Sequence, residues 1–234
     1  MRVQNKKPKS QARVVVSENG PYVVTGSVPL AKQTIVTDGE GGSESWEQGK
    51  RYTVEESYSL CRCGNSRSKP FCDGSHSLHR FDGAETASRE PYLKQAEATE
   101  GPDMLLTDAQ GLCAFGRFCD PNGQVWNQVG HTANPTVREN LVRQTGNCPA
   151  GRLVLWDKKT GEAIEPKLPV SIGIIEDPAQ GCSGPLWIRG GIQIESADGF
   201  EYEVRNRVTL CRCGQSQNKP FCDGTHAAVK FRDE

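Results

Sequence analysis

The sequence predicts an α+β chain that is mostly β: two small β-rich cap units, each running into a cysteine-dense loop, packed on one another as an internal pseudo-dimer and bridged by a middle segment of different character. Three observations carry this. The stretch CRCGNSRSKPFCDGSH, Cys61 to His76, returns 150 positions later as CRCGQSQNKPFCDGTH, Cys211 to His226. A gapless alignment of Tyr52–Phe81 with Tyr202–Phe231 holds 16 identities in 30 positions, so a unit has been duplicated. Apolar residues make up only 35% of the 234, beside 25 glycines and 14 prolines; small cores with many turns follow, and small cores need staples. The predicted boundaries are a disordered basic tail over 1–12, a first cap and loop over 13–81, a linker and middle segment over 82–169, and a second cap and loop over 170–234.

In chain order, the tail carries Lys6, Lys7 and Lys9 and, with Arg13, reads as a solvated arm rather than a grip for an anionic partner. No apolar segment follows it, so no secretory leader is expected. Arg13 to Leu30 (RVVVSENGPYVVTGSVPL) holds two β-rich runs about Asn19-Gly20, a hairpin signal. Asp38, Gly39, Gly41, Gly42 and Ser43 make Thr37 to Lys50 a loop, and Tyr52 to Leu60 returns to strand before Cys61. In the second copy Ser171 to Glu176, Gly184 to Ile194 and Tyr202 to Leu210 are three β-rich runs, again ending at a cysteine.

Each loop spells C-x-C-x8-C-x3-H: Cys61, Cys63, Cys72 and His76, then Cys211, Cys213, Cys222 and His226. Neither has an apolar run able to fold round a core of its own, so each needs a metal to hold it. Thiolates and imidazole suit zinc or iron–sulfur clusters and not calcium or magnesium, which take oxygen ligands. Spacing alone leaves both a structural Cys3His zinc site and a cluster open, the tight C-x-C pair leaning toward iron. Pro70 and Pro220 stiffen the approach to the third cysteine. Asp73 and Asp223 are expected to cap a short helical turn that carries the histidine, and Gly74 and Gly224 to let backbone come close to a sulfide.

The full pattern, C-x-C-x2-S-x3-P-x-C-D-G-[S/T]-H, is that of the CDGSH iron–sulfur family, whose best-known members are the mitoNEET-like proteins, and the chain resembles its tandem, two-motif type. The match holds at Cys61, Cys63, Ser66, Pro70, Cys72, Asp73, Gly74, Ser75 and His76, and again at Cys211, Cys213, Ser216, Pro220, Cys222, Asp223, Gly224, Thr225 and His226. The resemblance implies a [2Fe–2S] cluster in each copy, one iron held by the C-x-C pair and the other by the third cysteine and the histidine. Family members pair two such sites across a homodimer; two copies in one chain make the same pair within a monomer.

The middle breaks the duplication. Glu97 to Met104 is polar linker, followed by Cys113-x5-Cys119, a Gly and Trp hairpin over Asn122 to Trp126, a helix-like run from Thr136 to Gln144, and Asn147-Cys148-Pro149-Ala150-Gly151. Read as residues alone, these thiols are buried and inert, or a redox-switching pair, or cluster ligands. Their order resembles the divergent single-cluster ferredoxins in which C-x2-C-x2-C has lost its middle cysteine, here Gly116, and the last ligand sits in a Cys-Pro dipeptide. That resemblance implies a [3Fe–4S] cluster on Cys113, Cys119 and Cys148, or a [4Fe–4S] cluster if Cys182 or His131 completes the fourth corner.

Net charge is -1, which gives no support to nucleic-acid binding, and no stretch approaches the roughly 18 apolar residues of a membrane span. No nucleophile–base order, phosphate loop or paired carboxylates stand out, so the chain is expected not to be an enzyme. Ten cysteines with this ligand spacing indicate a reducing, cytoplasmic setting. The functional expectation is electron transfer with redox partner proteins, a reductase or a ferredoxin. The alternatives are storage, sensing or donation of [2Fe–2S] clusters to apo-acceptor proteins, and a zinc-stapled interaction module.

Overall fold

The protein was analysed as a computed structural model, which describes residues 12–233; Lys6, Lys7 and Lys9 of the expected tail lie outside them. In the N-terminal half, β1 (Arg13–Val16) and β2 (Tyr22–Thr25) form the expected hairpin, closed by Ser17 N–H on Pro21 O at 2.9 Å. β3 (Leu30–Thr37) and β4 (Ser43–Tyr52) form a second hairpin, and β5 (Ser57–Leu60) leads into Cys61 and the short helix α1 (Ser75–Leu78). The expected loop from Thr37 to Lys50 is only its first part. Asp38 Oδ1 accepts from the N–H groups of Glu40 and Gly42 at 2.9 and 2.7 Å, which tightens the turn and leaves Ser43 onward free to pair. Arg13 is not part of a free arm: it sits in β1 and ion-pairs with Glu195 and Glu201.

The middle segment contains α2 (Tyr92–Gln95), β6 (Glu97–Glu100), β7 (Met104–Asp108), α3 (Val125–Gln128), α4 (Pro135–Asn147), β8 (Leu153–Asp157) and β9 (Ala163–Ile164). Two expectations are corrected. Glu97 to Glu100 is a strand paired with β7, because backbone pairing needs no apolar side chains at a sheet edge. Asn122 to Trp126 is a 3-10 turn followed by helix, since Gln124 at φ 70° turns the chain into α3 instead of back along a strand. The long helix α4 is present, with Asn134 accepting from Thr136 N–H at its N-terminus and Pro135 in the first turn.

The C-terminal half supplies β10 (Ser171–Asp177), β11 (Cys182–Arg189), β12 (Gln193–Glu195), β13 (Arg207–Leu210) and α5 (Thr225–Ala228). Mostly β with short helices, the chain is α+β as expected. Strand pairing goes beyond the sequence reading: the halves do not build separate caps but exchange strands. One sheet runs β12-β1-β2-β5 and another β13-β11-β10-β3-β4, with the middle segment's β6-β7-β8-β9 as a third. The β1–β2 hairpin corresponds to β10–β11, β5 to β13 and β3 to β12. Each half sends its third strand across to pair in parallel with the first strand of the other, β12 on β1 and β3 on β10. The main core lies between the two exchanged sheets and is built by both halves: Val14, Tyr22, Val24 and Leu60 from one, Ile172, Ile174, Leu186 and Leu210 from the other.

This exchange sets the two cysteine loops against each other across the pseudo-two-fold axis. Gly64 (φ 77°) and Gly214 (φ 78°) follow the two C-x-C pairs, and a Cβ on either would stand 2.6 Å from the carbonyl oxygen of the other loop, Cys213 O and Cys63 O respectively. Tyr22, fully buried, reaches over from the first half to donate to Cys211 O and Pro220 O at 2.8 and 3.0 Å. Gly64→Ala adds both a left-handed strain and a backbone clash that no side-chain movement relieves. It is expected to cost about 2–4 kcal/mol in chemical denaturation, and an unchanged midpoint would mean the loops are not in contact.

Candidate metal centres

The two Cys/His loops are held by the same bonds in the same places. Cys61 N–H donates to Pro70 O and Cys211 N–H to Pro220 O, both at 2.8 Å; Cys72 N–H donates to Ser59 O and Cys222 N–H to Thr209 O, both at 2.9 Å. Each loop is thereby stitched to the strand that feeds it. Ser66 and Ser216 donate to Phe71 O and Phe221 O at 2.6 and 2.7 Å. Asp73 accepts from Arg67 and Ser75 N–H, and Asp223 from Gln217 and Thr225 N–H. The aspartates are therefore loop clasps, and the residues at the helix N-termini are Gly74 and Gly224 in left-handed conformations (φ 86° and 88°). Hydrogen bonds from Ser75 and Arg67 hold the Asp73 carboxyl well below its ordinary range. Burial pushes Asp223 up, and the same kind of bonds more than offset it.

The donors come in pairs. Cys61 Sγ and Cys63 Sγ are 3.8 Å apart, Cys72 Sγ and His76 Nδ1 3.4 Å; the second loop repeats both values for Cys211–Cys213 and Cys222–His226. Among the described residues, no three His, Cys, Asp or Glu side chains converge as a single metal ion would require. Two pairs per loop instead fit a two-iron group, one pair to each iron. Backbone N–H groups of Asn65, Gly74, Gln215 and Gly224 point at the sulfurs of Cys63, Cys72, Cys213 and Cys222 at 3.4–3.5 Å, placing positive dipoles where thiolate charge would collect. Burial pushes Cys63 up to about 11 and raises Cys72 and Cys222. Cys211 is drawn down to about 7 by its hydrogen bond from Cys213, whose own proton is correspondingly retained. Desolvated thiols of this kind give up their protons to a metal, not to water.

Between each C-x-C pair lies a buried arginine that sequence reading missed. Arg62 donates to Ser17 O and Gly83 O at 3.3 and 2.5 Å, while Arg212 donates to Gly184 O and Ile175 O and ion-pairs with Glu176 and Asp233. The shared x of C-x-C in both copies was the available signal. Each guanidinium locks its loop to the preceding hairpin.

The sites differ in access. Around Gly74 nothing lies within 4 Å of an added Cβ, whereas at Gly224 Cys113 O and Phe115 Cβ stand at 3.3 Å. His76 is half-buried and lines an open groove with Glu18, Asn19 and Arg80; His226 is only 4% exposed. Burial and the nearby Arg212 bring His226 down to about 4. Thr86 and Ala87 N–H on Lys219 O (2.8 and 2.9 Å) and Asn218 Nδ2 on Gly111 O (2.9 Å) complete the cover over the second loop.

The middle cysteines share one cavity. Cys113, Cys119 and Cys148 line one small cavity with Gly116, Pro149 and Arg152. A Cβ at Gly116 would lie 3.0 Å from Pro149 Cδ, so a cysteine there would press on the proline that follows Cys148. Phe115 (φ 55°) and Arg117 (φ 59°) are left-handed without being glycine, a costly path that wraps the loop round the three sulfurs. Arg152, ion-paired to Asp108 at 2.5 Å, borders Cys113; burial raises Cys119 strongly. Neither remaining candidate lines this cavity: Cys182 is buried at the start of β11 opposite Asp177, and His131 is exposed on a 3-10 turn. Cys222 packs with Ala114, Ala150 and Cys148 in one cluster, so the middle site abuts the second loop.

The family described as iron-binding zinc finger CDGSH type matches residues 19–77 and 183–227, and a family described as divergent 4Fe-4S mono-cluster matches residues 99–158 between them. No curated protein and no solved structure matches the chain. No helix of the described residues is long and apolar enough to cross a membrane.

Arg207, 2% exposed, ties the middle site to the second half by donating to Cys148 O at 2.7 Å, Thr145 O at 2.9 Å and Leu153 O at 3.1 Å. Arg207→Met strands three buried carbonyls and is expected to lower stability by about 3–5 kcal/mol. Urea denaturation checks this, and a loss below about 1 kcal/mol would remove Arg207 as the anchor of Cys148.

Proposed function

Because two regions match the CDGSH iron-binding family, one on either side of a region matching the divergent 4Fe-4S mono-cluster family, we propose that the chain is a multi-centre electron carrier and not an enzyme. It would hold one [2Fe–2S] cluster in each Cys/His loop and a [3Fe–4S] cluster on Cys113, Cys119 and Cys148. Its partners would be redox proteins, a reductase on one side and a ferredoxin-like acceptor on the other, in the cytoplasm. When bound, such clusters supply reversible one-electron oxidation and reduction.

One observation carries the reading: the three donor sets are contiguous. Cys148 packs with Cys222, and the C-x-C loops meet through Gly64 and Gly214. Electron tunnelling weakens steeply with distance, so donor-bearing loops in direct contact favour a relay over independent stores. The residues around them serve it. N–H groups aimed at Cys63, Cys72, Cys213 and Cys222 moderate thiolate charge, and Arg152 offsets it beside Cys113. The middle segment keeps water from His226, while His76 stays reachable. The order that follows is middle site, second loop, first loop, with partner exchange at His76.

A second reading, donation of [2Fe–2S] clusters to apo-acceptors, draws on the open setting of His76, since a ligand that water can reach is the easier one to detach. The zinc-stapled alternative fits less well, because the donors are split into pairs.

Anaerobically purified protein is expected to contain about seven irons per chain, four in the loops and three in the middle, and to be reduced by a flavin-dependent reductase. Cys148→Ser should remove only the middle share and Cys213→Ser only the second loop's. Four irons in the wild type would exclude the third cluster, and failure of any reductase to reduce a fully loaded protein would sink the carrier reading. In a transfer assay with apo-ferredoxin, iron is expected to leave the first loop several-fold faster than the second, and Phe115→Gly to narrow that gap. Equal rates in the wild type would show that the middle segment does not protect His226.

A further inference from the structure

Arg189 is the anomaly of the buried charges. Arg62, Arg207 and Arg212 each donate to carbonyls or carboxylates. Arg189, 9% exposed on β11, has only the face of Trp187 beside it, 4.7 Å from ring centroid to guanidinium carbon, and its buried Nε has no hydrogen-bond partner among the described residues. Burial accordingly draws its pKa below the ordinary value. A guanidinium whose Nε is buried without a partner and that has no counter-charge is costly, and an anion pairing with it offsets the cost.

The space for one is present. Arg189 lines a cleft of about 410 Å³ at the end of the exchanged sheet remote from the cysteine loop, Arg189 pairing with Arg207 where Leu186 pairs with Leu210. The walls come from both halves: Tyr52 and Val54 from the first, Val170 from the second, with Pro169 beside it and Arg51 on the rim. Arg51 is exposed, and its Nε and Nη2 are both within 3.0 Å of the Gln48 amide. The cleft thus offers one unengaged planar cation on an apolar floor. That chemistry matches a single planar carboxylate carried on a hydrocarbon body better than a dianionic phosphate, which needs several donors.

We propose that this cleft is a binding site for a small organic monocarboxylate, its carboxylate paired with Arg189 and its apolar body lying along Tyr52, Val54, Pro169 and Val170. Such a ligand would bridge the end of β4 of one half to the end of β11 of the other. The site is independent of the cluster reading and would stand if that reading failed.

The test is isothermal titration of the full-length, metal-loaded protein with sodium octanoate, with inorganic phosphate and sodium chloride at equal ionic strength as further arms. One octanoate per chain is expected to bind, with neither salt competing. Arg189→Met is expected to weaken octanoate binding by roughly tenfold or more, the worth of a charge-assisted pair. Val170→Glu, a rim substitution at an exposed position, should weaken it too by setting a carboxylate across the mouth. Without octanoate, Arg189→Met should unfold at the same temperature as the wild type or higher, since it removes an uncompensated charge. Absence of saturable octanoate binding, binding undiminished in Arg189→Met, or saturable phosphate binding in place of octanoate would each overturn the assignment. So would a marked loss of thermal stability in unliganded Arg189→Met, which would make Arg189 a structural group.

Discussion

The constraint on which the rest depends is the parallel pairing of β3 with β10 and of β12 with β1. Neither half can complete its sheet alone, because its third strand is used by the other. Parallel pairing between distant segments carries a loop-closure cost that only a shared core repays, and here the core drawn from both halves supplies it. With the sheets locked to each other, the strands that feed them, β5 and β13, deliver their cysteines to one axis. Glycine follows each C-x-C pair because the opposite carbonyl leaves no room for a Cβ. The duplication is therefore a structural dimer folded from one chain.

The middle segment then breaks that symmetry. It is fastened most heavily to one side: Arg207 on the carbonyls around Cys148, Arg117 on Asp177 at 2.5 Å, and Phe118 against Trp46 and Trp187 on the outer face of the exchanged sheet. Two loops of nearly identical sequence consequently live in different surroundings. His226 is sealed under Cys113 and Phe115, while His76 faces an open groove. Identical ligands in unlike dielectric surroundings do not behave identically, so duplicated sites acquire distinct roles without a change in their donor atoms.

Charge is handled by the same economy of parts. Each loop gathers thiol sulfur in a desolvated place and turns N–H groups toward it, while the arginine inside each C-x-C pair is engaged by carbonyls of the preceding hairpin. Where a buried guanidinium has no such employment, as at Arg189, the structure leaves a cleft beside it.

Much of this was legible in the amino-acid order. The paired ligand sets, the α+β class, the hairpin at Asn19-Gly20 and the long helix after Asn134 all rest on local rules: fixed spacings, period and turn chemistry. Local rules also explain the misses. Glu97 to Glu100 looked like linker because edge pairing leaves no apolar trace, and Asn122 to Trp126 looked like a hairpin because three successive left-handed residues, Asn122, Gly123 and Gln124, lead into helix instead. What the chain could not announce is which half each strand would join, that Cys148 would meet Cys222 while Cys182 stayed apart, and that one of two matching histidines would be buried. Those outcomes depend on contacts between residues scores of positions apart, whose free energy exists only once the whole core has closed.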